Sequence, residues 1–207
     1  MKAGAGPSMA RKQQRKADVE RKTKETSIKL SVNLDGKGES RIDTGVPFLD
    51  HMLNLVAKHG FFDLKVEARG DVDIDDHHTV EDIGICLGKA FTKALGDKEG
   101  IERFGFASVP LDESLAQVTA DISGRSCLVM KARLGRHRVG TFDPELVMDF
   151  FQAFVSNAGV TLHIHVPYGR NAHHKIECIF KAFARATAQA VSINTRRSGL
   201  PTTKGLL

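Results

Sequence analysis

The feature that most constrains this chain is a short histidine motif that occurs twice. Residues 77–81 read HHTVE and residues 173–177 read HHKIE, so both copies have the pattern His-His-x-x-Glu. For a chain of this composition, one such motif is expected by chance roughly 0.02 times. Two copies in similar surroundings therefore indicate an internal duplication, with paired histidines and a glutamate at matching places in each half.

The similarity extends to the residues around each motif. Apolar residues follow both copies at the spacing that lines one face of a helix. Upstream of each copy, the pattern predicts an amphipathic helix, at residues 48–58 ending near Gly60 and at residues 145–158 ending near Gly159. Strand-like segments begin at Thr26, Phe61, Phe104, Ser114 and Val160.

Each half thus contains strands, a helix, a further strand and a second helix. Two sheets with helices on one face are typical of an α+β fold, here built from a duplicated half. We expect residues 1–24 to form a basic arm, residues 25–100 the first half, and residues 101–207 the second half.

The motif has the geometry of a metal-binding helix. Residues three and four apart share a helix face, so Glu81 can bind one ion together with either His77 or His78. The other imidazole points roughly 100° away. Two such helices facing one another could build two metal sites, each with ligands from both halves. Imidazole mixed with carboxylate suits Mn²⁺, Fe²⁺ or Zn²⁺, and high coordination with open positions would favour Mn²⁺.

A plainer interpretation stays open, in which these residues only cap and hydrate the starts of two helices. Two further residues bear on the choice. His51 lies on the predicted helix before the first motif, and Asp149 occupies the matching place in the second half. A carboxylate there could also bind a hard divalent ion.

The distribution of charge bears on nucleic-acid binding, and the cysteine content bears on the cellular compartment. The net charge of +5 is concentrated in residues 1–24. Binding of nucleic acid through this arm ranks low, because no recognition motif accompanies the charge. The cysteines Cys86, Cys127 and Cys178 are odd in number and lack metal-type spacing, so we expect three buried, reduced thiols in a cytoplasmic protein. No apolar run approaches the ~20 residues that span a bilayer.

Eight stretches of the chain resemble imidazoleglycerol-phosphate dehydratase of histidine biosynthesis. The resemblance covers nearly everything from about Glu25 to Leu207. The stretches are TGVPFLDHML (44–53), KHGFFDL (58–64), DDHHTVEDIGICLG (75–88), RFGFASVPLDESLA (103–116), DISGR (121–125), TLHI (161–164), GRNAHHKIECIFKAFARA (169–186) and PTTKG (201–205).

The resemblance implies a fold, a reaction and an assembly. It implies a duplicated half with a four-stranded sheet and two helices. It implies removal of water from imidazole glycerol phosphate to give imidazole acetol phosphate, with two Mn²⁺ ions per active site. It also implies 24 subunits, with active sites between neighbouring chains.

The family's metal ligands map onto the motif residues and their upstream neighbours. The family often has histidine where this chain has Asp149, which puts that ligand in question. Our hypothesis groups His51 with His78 and Glu81, and Asp149 with His174 and Glu177, each group adding a histidine of the other motif. The full ligand set that the resemblance implies is His51, His77, His78, Glu81, Asp149, His173, His174 and Glu177.

Other positions match substrate contacts of the family. Glu25 is the candidate acid–base, and guanidinium and ammonium groups suit a doubly charged phosphate. The matching residues are Glu25, His59, Arg103, Arg125, Thr202, Thr203 and Lys204. Two alternatives remain at this stage: another two-metal enzyme, such as a phosphate-ester hydrolase, or a non-catalytic metal- or nucleic-acid-binding module.

Overall fold

The structure, a computed structural model, describes residues 15–207 and contains the same succession of six elements twice. The first half comprises β1 (Lys16–Lys22), β2 (Thr26–Asn33), β3 (Ser40–Asp43), α1 (Pro47–Gly60), β4 (Asp63–Gly70) and α2 (His77–Leu95). The second half comprises β5 (Phe104–Leu111), β6 (Ser114–Asp121), β7 (Cys127–Lys131), α3 (Leu146–Ala158), β8 (Thr161–Tyr168) and α4 (Ala172–Val191).

The two halves form sheets of identical topology. The strand orders are β1-β2-β4-β3 and β5-β6-β8-β7. In each sheet the third strand in sequence pairs in parallel with its neighbour, and the other pairs are antiparallel. The prediction of a duplicated α+β fold, with a four-stranded sheet and two helices in each half, is confirmed.

Alternation of apolar and polar residues decides which face of each sheet is buried. In β2, Ile28, Leu30 and Val32 are buried, whereas the residues between them face outward. Successive side chains of a strand point to opposite faces, so one face of the sheet joins the core. Burial of such a face contributes about 25 cal/mol per Å² of apolar surface.

The helices connect the halves, because α2 packs along α3 and α1 packs against α4. Two glycines in α2 allow the first of these pairs to approach closely. A Cβ atom on Gly84 would lie 2.6 Å from the Phe150 carbonyl oxygen, and one on Gly88 would lie 2.6 Å from that of Phe154. Since real Cβ atoms do not approach backbone so closely, glycine at these positions fixes the distance between α2 and α3.

The first sheet begins earlier than the sequence pattern suggested. Strand β1 lies within the stretch 1–24 that we expected to be an arm, and it pairs with β2 along its whole length. Its charged residues hide the alternation of apolar and polar positions: Ala17 is buried and Val19 packs against the core, while Lys16, Asp18 and Glu20 flank them. Residues 1–14 of the expected arm lie outside the described residues.

No helix within residues 15–207 is both long and apolar enough to cross a membrane. Of the three cysteines, Cys86 and Cys178 are buried and Cys127 is exposed, and all three are free thiols. The cytoplasmic location inferred from the sequence stays a prediction.

Candidate active site

Both motifs lie within the first two turns of a helix, α2 or α4. The Asn171 side chain caps α4 by accepting hydrogen bonds from the backbone N–H groups of His173 and His174. At the start of α2, the backbone N–H of His77 donates to Asp75 Oδ1 over 2.8 Å. These carboxamide and carboxylate partners satisfy N–H groups that a helix start leaves without intrahelical acceptors. The histidine side chains are therefore available for other contacts.

The second motif builds a tight cluster with α1. His51 Nε2 lies 3.1 Å from Glu177 Oε2, and His173 Nε2 lies 3.1 Å from the same oxygen. The three residues each offer one ligand atom, and these atoms all lie within 4.8 Å of one another. The ring of Phe48 packs edge-on against His173, with centroids 5.2 Å apart. Packing of α1 against α4 thus brings two imidazoles and a carboxylate to one point.

The carboxylate of this cluster is held in its ionised form. Burial alone would raise its pKa, but hydrogen bonds from Lys181, His51 and His173 outweigh burial and lower the pKa of Glu177 from 4.5 to about 2. Lys181 Nζ lies 2.6 Å from Glu177 Oε1, one helical turn further along α4. Sequence reasoning missed Lys181, although its spacing of four residues from Glu177 was a readable signal.

The first motif builds a looser cluster with α3. His77 Nδ1 lies 3.5 Å from Asp149 Oδ2, and His77 Nε2 lies 3.8 Å from Glu81 Oε2. The side chain of Glu81 is 47% exposed, compared with 12% for Glu177. The close packing of α2 on α3 therefore brings His77, Glu81 and Asp149 together without drawing their ligand atoms to one point.

The structure corrects the grouping that we inferred from the repeat. Within one chain, His51 contacts Glu177 instead of Glu81, and Asp149 contacts His77 instead of His174. The physical reason is that α1 packs against α4, and α3 against α2, so each upstream helix serves the motif of the other half. Spacing along the sequence could not show this exchange.

The second histidine of each pair is oriented by a carboxylate at Nδ1. His78 Nδ1 lies 3.0 Å from Asp71 Oδ2, and His174 Nδ1 lies 2.8 Å from Glu113 Oε2. A carboxylate on one ring nitrogen fixes the tautomer and leaves the other nitrogen, Nε2, to act as a ligand. We did not predict Asp71 or Glu113 from the sequence.

Hydrogen bonding shifts the pKa of one group in each of these pairs, Glu113 in the second half and His78 in the first. Hydrogen bonds from the Asn171 backbone, from His174 and from the Arg170 backbone lower the pKa of Glu113 well below its usual value. In the first half, the hydrogen bond to Asp71 raises the pKa of His78, and the nearby charge of Glu25 adds to that effect. Glu25 itself is exposed and lies in the turn between β1 and β2.

The expected phosphate-binding residues gather at the C-terminal tail. Arg103 pairs with Asp121 through two nitrogens, at 2.7 and 3.2 Å, and donates from Nη1 to the Pro201 carbonyl over 3.0 Å. This contact holds the segment that carries Thr202, Thr203 and Lys204. The tail ends against Gly124, next to the exposed Arg125.

His59 lies apart from this tail. It sits at the end of α1, where burial, followed by the positive charges of Lys181 and Arg185, lowers its pKa. A lowered pKa keeps the imidazole neutral at pH 7, so the ring can accept a hydrogen bond as well as donate one. The structure thus places His59 near Lys181 on the side of the second motif.

Comparison with known proteins identifies the family. A model of the imidazoleglycerol-phosphate dehydratase family matches residues 44–187. The dehydratase of Geobacter metallireducens is 60% identical over 93% of this chain and 99% of the relative, and that of Pseudomonas aeruginosa is 57% identical over 94% and 99%. The chain belongs to the imidazoleglycerol-phosphate dehydratase family. It is accordingly a hydro-lyase of histidine biosynthesis, as the resemblance implied.

Two solved dehydratases share its fold. The enzyme of Staphylococcus aureus superposes with a TM-score of 0.79 at 44% identity, covering 86% of this chain and 99% of its own. The enzyme of Pyrococcus furiosus, solved in complex with (S)-C348, has a TM-score of 0.79 at 33% identity, covering 91% and 100%.

The candidate metal cluster around Glu177 and the residue Arg103, which holds the tail, lie at opposite ends of α4. The backbone N–H of Arg103 donates to the carbonyl of Ala190, close to the C-terminal end of that helix. Glu177 lies in the first turns, and at 1.5 Å per residue about 20 Å of helix separates it from Ala190. The metal-type clusters and the tail therefore occupy different regions of one chain.

Proposed function

We propose that this dehydratase converts imidazole glycerol phosphate to imidazole acetol phosphate and needs two divalent cations, Mn²⁺ in our assignment, at each active site. The observation that carries the proposal is the cluster of His51, His173 and Glu177, whose ligand atoms lie within 4.8 Å of one another. A capping role alone would not bring an imidazole from α1 onto a carboxylate of α4.

The donor set fits such a cation. Two imidazole nitrogens and one ionised carboxylate oxygen suit Mn²⁺, Fe²⁺ or Zn²⁺ and leave room for further ligands. When bound, the cations supply Lewis acidity towards the azole ring of the substrate and hold it in place. His77, Glu81 and Asp149 are the chain's second donor set, in which the carboxylate of Asp149 provides oxygen where the family often has histidine.

We assign the completion of each site to a neighbouring copy. His78 and His174 are fixed at Nδ1, so Nε2 is the nitrogen that each can offer to a cation. Arg103, which holds the tail, is bonded to Ala190, and about 20 Å of helix separates Ala190 from Glu177, which is more than a six-carbon phosphate ester can span. Both facts favour sites between chains, within the 24-subunit assembly that the family resemblance implies.

The remaining residues bind the phosphate and move the proton. Arg125, Lys204 and the hydroxyls of Thr202 and Thr203 are the donors for the phosphate oxygens, and Arg103 holds the tail that presents them. Glu25 is the acid–base: its carboxylate takes the proton from the second carbon of the side chain, the hydroxyl on the carbon attached to the ring leaves with a proton as water, and the resulting enol tautomerises to the ketone.

An assay after chelation tests the metal dependence. Purified protein stripped with a chelator should lose dehydratase activity towards imidazole glycerol phosphate and regain it on addition of Mn²⁺. A panel of other phosphate esters, assayed in parallel, distinguishes the dehydratase from a two-metal hydrolase. Full activity of protein shown by elemental analysis to be metal-free would contradict the proposal.

Mixed oligomers test the sharing of sites between chains. Glu177→Gln and Lys204→Ala should each be inactive alone, since one removes a metal ligand and the other a phosphate donor. If each site combines the clusters of one chain with the tail of another, co-assembly of the two variants creates some sites with neither defect, and activity returns. If every site lies within one chain, every site keeps a defect and the mixture stays inactive.

A further inference from the structure

A buried polar link joins the turn between β1 and β2 to helix α2. The hydroxyl of Thr26 donates to Asp82 Oδ2 over 2.5 Å, and Arg21 Nη2 lies 2.9 Å from Asp82 Oδ1. Thr26 and Asp82 are only 4% and 7% exposed. A buried carboxylate is costly unless it is paired, so this link holds two strand residues in fixed positions relative to the helix.

The same link fixes the backbone of Glu25. The hydroxyl of Thr23 accepts hydrogen bonds from the backbone N–H groups of Glu25, at 3.0 Å, and of Thr26, at 2.9 Å. It also lies 3.2 Å from the Thr26 hydroxyl. Glu25 is thus held between Thr23 and Thr26, and the latter is bonded to α2.

The point of attachment on α2 lies within the first metal motif. Asp82 directly follows Glu81 and lies four residues after His78, so it shares one helical turn with both. Its side chain points inward to the sheet, whereas that of Glu81 is exposed. A short chain of hydrogen bonds therefore connects the residue that moves the proton to the helix that carries the metal ligands.

The second half shows that the fold does not need this link. In the internal repeat, Thr26 corresponds to Ser114, Asp82 to Cys178 and Arg21 to Val109. Among these three residues of the second half, the one polar contact is weak: Cys178 Sγ lies 3.7 Å from the Ser114 carbonyl oxygen. The same strand pairing and helix packing form without a buried ion pair, so the polar version is specific to the half that contains Glu25.

We propose that Thr26 and Asp82, supported by Arg21, are positioning residues that hold Glu25 at a fixed place relative to the metal ligands of α2. The inference rests on the proposed acid–base role of Glu25. Loss of the link lets the turn move, and a misplacement of about 1 Å at a reacting group can cost on the order of 10² in rate.

The main variant is Thr26→Val, which removes the hydroxyl and keeps the shape. We expect kcat to fall about 10- to 100-fold, with little change in KM, in bound Mn²⁺ or in Tm. Thr26→Ser restores the hydroxyl and should restore most of kcat. Thr187→Val, which removes a buried hydroxyl bonded to the Phe183 carbonyl in α4, is the control and should keep its turnover.

A double-variant cycle with Glu25→Gln shows whether the link acts through Glu25. If it does, Thr26→Val causes no further loss of kcat in the Glu25→Gln background. Two results would overturn the inference and leave the proposed role of Glu25 intact. One is an unchanged kcat for Thr26→Val; the other is the same fold-loss from Thr26→Val in the Glu25→Gln background as in wild type. Full activity of Glu25→Gln would instead refute the proposed role of Glu25, and the inference with it.

Asp82→Asn provides a second route if Thr26→Val does not fold. The carboxamide can still accept the Thr26 hydrogen bond but no longer pairs as an ion with Arg21. We expect kcat to fall less than in Thr26→Val, and we expect this fall to disappear in the Glu25→Gln background. An equal proportional loss in both backgrounds would overturn the inference.

Discussion

Both motif clusters combine imidazole and carboxylate side chains, but they differ in how closely their ligand atoms approach one another. Around Glu177, two imidazole nitrogens lie 3.1 Å from one carboxylate oxygen. Around His77, the carboxylates of Asp149 and Glu81 lie 3.5 and 3.8 Å away, on opposite ring nitrogens. One cluster is already arranged around a single point, and the other must close to share a cation.

The difference has two sources in the sequence. The upstream helix supplies a histidine to the second motif, His51, and a carboxylate to the first, Asp149. In addition, Lys181 holds Glu177 in place, whereas the matching residue in the first half is Ile85. The comparison teaches that a repeated motif defines which side chains can meet, while its neighbours decide whether they do.

The largest effect should come from the assembled cluster. Glu177→Gln removes the charge that two histidines and a lysine surround, and kcat/KM should fall on the order of 10³-fold as the cation is lost. Titration with Mn²⁺ and a dehydratase assay measure the two effects. Glu67→Gln, an exposed carboxylate on β4, is the matched control and should behave as wild type.

The matching substitution in the first cluster tests whether the two clusters differ in Mn²⁺ affinity. Glu81→Gln should lower Mn²⁺ affinity less than Glu177→Gln does, because Glu81 is more exposed and further from its histidine. Equal losses for both variants would show that the difference between the clusters disappears once cations bind.

The next largest effects should come from the carboxylates that bind Nδ1 of His78 and of His174. Glu113→Gln and Asp71→Asn each remove the charge that orients an imidazole through Nδ1, and such supporting residues are worth about 10- to 100-fold in metal affinity. Glu113→Gln should have the larger effect, because Glu113 also accepts backbone hydrogen bonds from Arg170 and Asn171. Isothermal titration with Mn²⁺ measures this, and unchanged affinity in both variants would remove His78 and His174 from the ligand set.

Asp149→His should make the two clusters more alike. It restores the nitrogen donor that the family often has, and we expect the weaker of two Mn²⁺ affinities to rise about tenfold. Asp149→Asn, which keeps the size and removes the charge, should lower it. If neither substitution changes Mn²⁺ binding, Asp149 is not a ligand.

How far the sequence predicts this molecule depends on which interactions decide each part. The long helices and the apolar strands follow from periodicity, and the motif residues follow from helical spacing. The pattern did not reveal strand β1, because charged residues flank Ala17 and Val19, and β3 and β7 are very short.

The partners of the motif residues could not be predicted, because they depend on which helices pack together. The close approach of α2 and α3 at Gly84 and Gly88 brings Asp149 to His77, and nothing in the spacing of the motif specifies that approach. Asp71 and Glu113 were missed for the same reason: they come from turns that fold back onto the helix starts.

The smallest effect concerns the stability of the metal-free protein in acid. Folding lowers the pKa of Glu177 from 4.5 to about 2. Its contribution to stability is therefore present above pH 4.5 and is lost as the pH falls towards 2. Since His51 and His173 are partly exposed, we expect about 1 kcal/mol, or roughly 3 °C in Tm.

A comparison of melting curves with a chelator present measures this contribution. The Tm of wild type should exceed that of Glu177→Gln at pH 6, and the difference should shrink as the pH falls below 4.5. A difference that stays constant down to pH 3 would show that the ion pairs around Glu177 do not stabilise the fold.

The central claim is that the two clusters hold two cations and that neighbouring chains complete them. A crystal structure of the Mn²⁺-loaded protein, with anomalous data at the manganese edge, tests it most directly. We predict two peaks per chain, one bonded to His51, His173 and Glu177 and one to His77, Glu81 and Asp149, each with an Nε2 ligand from His78 or His174 of another copy. Absence of peaks at both clusters, with these side chains directed away from each other, would contradict the account.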